Sequence, residues 1–502
     1  MSNNKPMFQE FDPSDKNEWR EMVRKAASEE ELKALLSESA DGFTLSAYYD
    51  HTDLERIDFK DSLPGNYPYV NGFGEESFPK FRAAVRIEKF MKASQMIGEA
   101  LASGAEELFV TGDHFGNDNE LELLLGAVDP SKTPLHVDFG ESNVAFAFIL
   151  ADEMERRGID PAQIKGSIGH DYLGDLAFKG NFDHSASESL NILKSLLEFG
   201  NATLPGVRML QVNGARFHEA GATPGMELGF LFSQLTEYVD LLTDKGIPAG
   251  QLARQLQLHV AVTADDYFMS IAKLRALRIL WANWAEAYGI DGVFPQVHAV
   301  SAHRNKTSFD EYNNLLRLTA EGMAAGIGGC DAVTLWPHDD TFRLPNSFSL
   351  RIAGNIHHLL KHESKLGQTA DAAAGSYYIE NLTDKLVDTA WTWFTECEKK
   401  GGFTAALKAK YIQGVIEQQA NREQARFNEG KKILVGANKY PNKDEKLSQK
   451  TERVVARVDM KDELGVMPLR TKRMAENLEN AKLKMESGHL REEMEEAEKD
   501  EE

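Results

Sequence analysis

Short β-branched or apolar runs alternate with longer helical patterns from about residue 85 to 430, and no other feature constrains the fold as tightly. Candidate strands are Leu108–Thr111, Leu135–Phe139, Ile164–Ile168, Val207–Val212, Leu256–Val262, Val293–Val297 and Asp331–Trp336, with a weaker eighth near Ser376–Ile379. Between them Leu228, Leu231, Phe232, Leu235, Val239 and Leu242 recur every three or four residues, as do Tyr267, Ile271, Leu274, Leu277 and Trp281. Strand then helix, seven or eight times over roughly 320 residues, is the spacing of an α/β fold of the (β/α)8 TIM-barrel type. A doubly wound open sheet competes, but no Gly-rich phosphate loop follows the first predicted strand.

The flanks differ in composition. Residues 1–84 read as an extended arm: Glu29, Glu30, Leu32, Leu35 and Leu36 suggest a helix, and Pro-punctuated segments follow, ending at Leu63-Pro64-Gly65-Asn66-Tyr67-Pro68-Tyr69. Proline keeps such backbone extended, which suits a segment laid over another surface, and the arm is expected to wrap a partner chain. Residues 85–430 form the barrel, and 431–502 a linker with a charged, helical or partly disordered tail. That tail has few large apolar residues beyond Val454, Val455, Val458, Leu464, Val466, Met467 and Leu469, and its final twelve residues hold eight acids.

Charge narrows the function. The formal net charge is −23, which repels phosphate backbones and anionic lipid, so neither nucleic acid nor membrane is an expected partner. The N-terminus lacks the apolar core of a signal peptide and the Arg-rich pattern of a transit peptide, and the longest apolar stretch, Val144 to Ala151, is far short of a membrane span. Two cysteines, Cys330 and Cys397, make neither a disulfide framework nor a thiolate zinc site. A cytoplasmic location is expected.

In a barrel, chemistry sits where strands end at the C-terminal face. Those positions carry Asp113 and His114, then Gly169, His170 and Asp171, then Asn213 to Glu219, His298 and His303, and His338, Asp339 and Asp340. Imidazoles among carboxylates suit a metal-dependent hydrolase, yet the His-x-His of familiar barrel hydrolases is missing, and unrelated polar loop residues are the favoured reading. His357, His358 and His362 read as exposed helix residues, the last two sharing a face. No catalytic constellation emerges from the residues alone.

Several colinear blocks carry more information. They are Ser62-Leu63-Pro64-Gly65 with Pro68-Tyr69, His218-Glu219-Ala220-Gly221-Ala222-Thr223, Ile271-Ala272-Lys273-Leu274-Arg275-Ala276, Leu344-Pro345 with Phe348-Ser349 and Arg351-Ile352-Ala353, Ala374-Gly375-Ser376-Tyr377-Tyr378-Ile379-Glu380, and Ala437-Asn438-Lys439-Tyr440. In order and spacing, over roughly residues 40 to 440, the chain resembles the substrate-binding barrel of the methylmalonyl-CoA mutase family. The resemblance implies a (β/α)8 barrel and, for active members, interconversion of methylmalonyl-CoA and succinyl-CoA by radical chemistry on adenosylcobalamin. Their cobalamin-binding domain carries Asp-x-His-x-x-Gly, a motif absent here, so no cobalamin domain, no bound cofactor and no metal are expected in this chain.

The resemblance also implies which groups are lost. Active members have Tyr-His where this chain has Ala215 and Arg216, a Gln at Gly169, a carboxylate-clamping Arg at Lys179 and a further Gln at Val300. The Arg and Ser that face the CoA phosphate fall near Leu256 and Leu258, and the Arg-Gln-Tyr-Ala-Gly arm segment is missing between Gly72 and Arg82. Lys179 keeps a charge but not the planar fork that matches a carboxylate. Losing one oriented hydrogen bond removes about 2.7–4 kcal/mol of transition-state stabilisation. The pattern is similar to the non-catalytic small subunit of heterodimeric bacterial mutases, whose partner is a catalytic large subunit holding adenosylcobalamin. Two alternatives stand: a barrel-only catalytic subunit of a split acyl-CoA mutase, and a barrel repurposed for binding through Arg216, His218, His170 and His303.

Overall fold

The computed structural model describes residues 15–28, 31, 36–74, 78–88, 90–112, 115–182, 184–452 and 465–500. Eight parallel strands close into a barrel: β1 (Lys80–Ile87), β2 (Glu107–Gly112), β3 (Leu135–Asp138), β4 (Gly166–His170), β5 (Val207–Asn213), β6 (Leu256–Val262), β7 (Gln296–Ser301) and β8 (Ala332–Thr334). Each strand pairs with its sequence neighbours, and β8 pairs back onto β1 through Ala332↔Lys80 and Val333↔Phe81. Helices cover the outside, so the strands are buried on both faces and read as near-continuous apolar runs.

Three sequence expectations need correction. The first strand of the barrel is Lys80–Ile87, which crosses the boundary drawn at residue 84. Arg82 and Arg86 interrupt its apolar run, and the Arg82 charge is compensated inside the barrel rather than by water. The eighth strand near Ser376–Ile379 does not exist. Ser376 instead caps the helix Tyr377–Glu398, its hydroxyl accepting the Ile379 N–H at 3.5 Å. The run Val293–Val297 also shifts to Gln296–Ser301, because Pro295 lacks the N–H a ladder needs and the strand begins after it.

Gly166 fixes where β4 begins. Its φ of +144° is one that L side chains rarely adopt, and a Cβ there would collide with the Leu135 carbonyl of β3. The main helices follow their periodicity. Pro224–Asp244 and Tyr267–Ala287 are buried on most of their surface, sandwiched between the barrel and further helices. Gly229 lets the helix Tyr377–Glu398 approach closely, since a Cβ there would meet Trp393 Cβ at 2.5 Å.

The described part of the arm packs on its own barrel. Arg278 donates to the Val70 carbonyl at 2.7 Å and the Tyr69 carbonyl at 3.0 Å. Arg56 donates to Asn381 at 3.0 Å, and Tyr67 OH to Asn283 at 2.7 Å. Asp41 accepts the Thr223 hydroxyl and, at 3.0 Å, the Gly225 N–H, capping the helix Pro224–Asp244 from outside. The first helix is Lys16–Ala26. Glu29, Glu30, Leu32 and Leu35 lie outside the described residues, while Leu36 is exposed and non-helical.

The C-terminal segment is likewise docked. Val466 and Leu469 are buried in the main core, and Phe427, Leu434, Met474 and Ala475 form a small satellite cluster. A strap over residues 465–475 crosses the C-terminal mouth of the barrel, and the helix Glu476–Asp500 follows. The strap's backbone N–H groups reach two short helices and a loop: Leu469 to the Ala177 carbonyl (2.9 Å), Lys472 to Glu219 (3.0 Å) and Met474 to Arg304 (2.9 Å). Val454, Val455, Val458 and Leu464 lie outside the described residues.

Candidate functional site

The bore of the barrel is filled. Arg82 on β1, fully buried, donates through Nε and Nη2 to Glu107 on β2 at 3.0 and 2.8 Å, and through Nη1 to Gln257 on β6 at 3.1 Å. The Gln257 amide lies 2.6 Å from His259 Nε2, His259 Nδ1 lies 3.1 Å from His298 Nδ1, and His298 Nε2 lies 2.8 Å from Thr334 Oγ1. Thr334 then donates to the Arg82 carbonyl at 2.8 Å, which closes the ring. Burial, then the Arg82 charge, pushes His259 and His298 well below the usual imidazole range, and His136 down to about 4. Burial works to raise Glu107, but hydrogen bonding to His136 and the Arg82 charge outweigh it and hold the carboxyl down to about 2.

Only one direction of proton donation satisfies two neutral imidazoles in this chain. The Gln257 amide donates to His259 Nε2, so the His259 proton sits on Nδ1 and His298 carries its own on Nε2. The sequence reading missed this ring apart from His298. Its members alternate with apolar residues inside strands, so each looked like an interruption of a core run.

At the C-terminal end, a recess of about 290 Å³, its open mouth included, lies over β3, β4 and β5. Asp138 ends β3, Gly169 and His170 end β4, and Gln211 and Asn213 end β5. Asp171 and Asp175 come from the start of the helix Tyr172–Lys179, and Arg216 from the helix Ala215–Ala220. Arg216 donates to Asp175 at 3.2 Å and lies 4.2 Å over the Phe178 ring, while Lys179 donates to the other Asp175 oxygen at 3.2 Å. Burial works to raise Asp175, but the two cations hold it below the usual carboxylate range. Asp171 caps its helix through the Gly174 N–H (3.0 Å) and accepts from Gln234 (2.5 Å) and Tyr238 (2.8 Å); burial nonetheless pushes it up to about 6.

The five substituted positions separate into two groups. Gly169, Lys179 and Arg216 gather at the recess. A Cβ at Gly169 would overlap Gln211 Cβ, so the side chain of β5 occupies the space a larger residue would need. Ala215 and Val300 pack instead with Ala261 and Ala302 in a small apolar cluster. Leu256 and Leu258 are core residues of β6.

The remaining candidates scatter. His298 lies down in the bore. On the far side of the mouth, Asp340 lies 2.8 Å from His303 Nε2 and pairs with Arg86 at 3.0 Å, with both side chains against Trp336. Glu219 accepts the His303 N–H at 2.7 Å, and His218 is half-buried. His338 is enclosed between Tyr312 and Phe348, and Asp339 binds Arg343 at 2.7 Å. Asp113 and His114 lie outside the described residues. His357 is not exposed as expected: it packs at the opposite end of the barrel against Phe78 and Phe81, with Nε2 3.0 Å from the Pro79 carbonyl. His358 and His362 do share a face, their rings 6.2 Å apart. Among the described residues no three His, Cys, Asp or Glu side chains are placed to hold a metal, and no helix is long and apolar enough to cross a membrane.

A closed eight-stranded parallel barrel with a polar recess among its C-terminal loops places the molecule in the (β/α)8 class. The profile of the family described as methylmalonyl-CoA mutase matches residues 116–497. Methylmalonyl-CoA mutase small subunit of Porphyromonas gingivalis is 30% identical over 96% of this chain and 78% of its own length. The small subunit of Streptomyces virginiae is 33% identical over 84% of this chain and 67% of its own. Methylmalonyl-CoA mutase of Escherichia coli is 27% identical over 89% of this chain, which spans 66% of that relative. This chain belongs to the methylmalonyl-CoA mutase family.

Proposed function

We propose that this chain is the non-catalytic small subunit of an adenosylcobalamin-dependent methylmalonyl-CoA mutase and that it stabilises a catalytic large subunit in a heterodimer. Small and large subunits bearing that name occur together in Porphyromonas gingivalis and in Streptomyces virginiae, which supports a two-chain assembly. The observation that carries the reading is the fate of the substituted positions. Ala215 and Val300 belong to one small apolar cluster with Ala261 and Ala302, Gln211 fills the space beside Gly169, and Arg216 and Lys179 both pair with Asp175. An inert scaffold that has repacked around its losses is what this reading predicts.

The residues present do not fit the corrin cofactor. The strap held by Ala177, Glu219 and Arg304 lies across the mouth where a flat cofactor would rest, and the bore beneath is filled by Arg82, His136, His259 and His298. We therefore assign adenosylcobalamin to the partner and interconversion of methylmalonyl-CoA and succinyl-CoA to the assembled pair. A subunit that binds only the folded partner stabilises it by mass action. The test is co-expression with a large subunit: co-elution at one-to-one stoichiometry and a longer-lived mutase activity are expected. Elution of this chain alone as a stable monomer, or turnover by it without a large subunit, overturns the reading.

A further inference from the structure

We infer that the recess over β3, β4 and β5 is a binding site for a small primary ammonium ion, the head of a short-chain amine. The lining is rich in acceptors. Asp138, Asp171 and Asp175 contribute three carboxyls against one guanidinium, and Lys179 beside them is already engaged with Asp175. His170 adds no positive charge, since burial lowers its affinity for a proton. The local balance is negative, as is that of the whole chain.

Hydrogen bonding supplies the second, independent observation. Gln211 is 3% exposed, lines the recess, and its Oε1 accepts no hydrogen bond. The Asn213 amide oxygen, at the end of the same strand, is enclosed and equally unpartnered. An unmatched buried acceptor costs roughly 1–3 kcal/mol, so two on one wall call for donors from outside the chain. Asp138 completes the set: its one hydrogen bond is from the Gly140 N–H to Oδ1 at 3.3 Å, and burial raises its carboxyl against the lowering pull of the Arg216 charge.

Three acceptors, one of them anionic, match the three N–H donors and single charge of a primary ammonium. Asp171 and Asn143 do not compete for it. Gly174, Gln234 and Tyr238 all donate to Asp171 Oδ1 and the Asn213 N–H to its Oδ2 at 3.3 Å, while Asn143 joins Phe139 N–H (2.8 Å) to the Gly169 carbonyl (2.7 Å). Gly169 leaves room for the Gln211 side chain, which any larger residue there would displace.

The experiment uses the full chain and compares methylammonium, sodium and tetramethylammonium chlorides at equal ionic strength by thermal unfolding and calorimetry. Methylammonium alone is expected to give a saturable rise in Tm. Asp138→Asn is expected to weaken binding at least tenfold with the Tm of the unliganded protein little changed, and Asn213→Asp, which adds a second anion, to tighten it. A crystal soaked in rubidium chloride, whose cation would take the place of the ammonium, is expected to show an anomalous peak within about 3.2 Å of Gln211 Oε1, the outer limit for an N–H donor at that oxygen. Equal shifts with sodium, an unchanged response in both variants, or an ordered water at the three oxygens with no rubidium peak overturns the proposal. None of these outcomes bears on the subunit role.

Discussion

His259 and His298 face each other across adjacent strands with their Nδ1 atoms 3.1 Å apart, and both rings are fully buried. Two imidazoles at that separation cannot both be protonated there, and the contacts with Gln257 and Thr334 leave each a single tautomer. Histidine-labelled protein is therefore expected to show His259 as the Nδ1–H form and His298 as the Nε2–H form in ¹⁵N spectra. Neither signal should shift between pH 7.5 and pH 5. Titration of either ring near pH 6.5 refutes the assignment.

Asp41 and Asp266 are both pushed up to about 6, chiefly by burial. The fold holds their protons between roughly pH 4 and 6 while the unfolded chain releases them, so these two groups favour the fold as pH falls. A D41N/D266N variant takes up no such protons. Its stability advantage over the parent should be largest at pH 7 and fade toward pH 4, with slopes differing by about 3 kcal/mol per pH unit for two groups. Urea unfolding at four pH values measures the difference, and parallel slopes would count against it.

Lys273 and Glu227 form an ion pair at 2.5 Å, each almost wholly buried, between the helices Tyr267–Ala287 and Pro224–Asp244. Glu227 also accepts the Ala261 N–H of β6 at 2.8 Å, which ties both helices to the barrel. Lys273→Met strands a buried carboxylate and is expected to cost about 3–5 kcal/mol. K273M/E227Q, which keeps an acceptor for Ala261 without the charge, should recover much of that loss in denaturant melts.

Gly169→Gln restores the side chain that active relatives are expected to carry, but Gln211 already fills the volume. Overpacking of this kind costs about 1–3 kcal/mol. The variant should melt earlier than the parent and gain no mutase turnover with coenzyme added. A stable variant with measurable turnover would show that the recess is a dormant active site.

How far the sequence could be read depended on which forces wrote each segment. Seven strands were legible because a short apolar run buried on two faces is hard to mistake for a loop or a solvated helix. β1 was not, since Arg82 looks like a surface residue until Glu107 and Gln257 are placed beside it. Tyr377-Tyr378-Ile379 has strong β-propensity, yet the Ser376 cap and the helical spacing of Leu382, Leu386 and Ala390 prevailed. Gly169, Lys179 and Arg216 were singled out by resemblance and do converge. Gln211 and Asn213 carry no linear signal, because an unsatisfied amide oxygen is a property of three-dimensional surroundings alone.

The strap leaves the ribosome after every segment that supplies its anchors. Leu469, Lys472 and Met474 therefore seal a cup that has already formed, and a nascent chain passes through an uncapped stage with Ala177, Glu219 and Arg304 bare. Synthesis itself sets a brief window during which the barrel mouth is open to whatever is nearby.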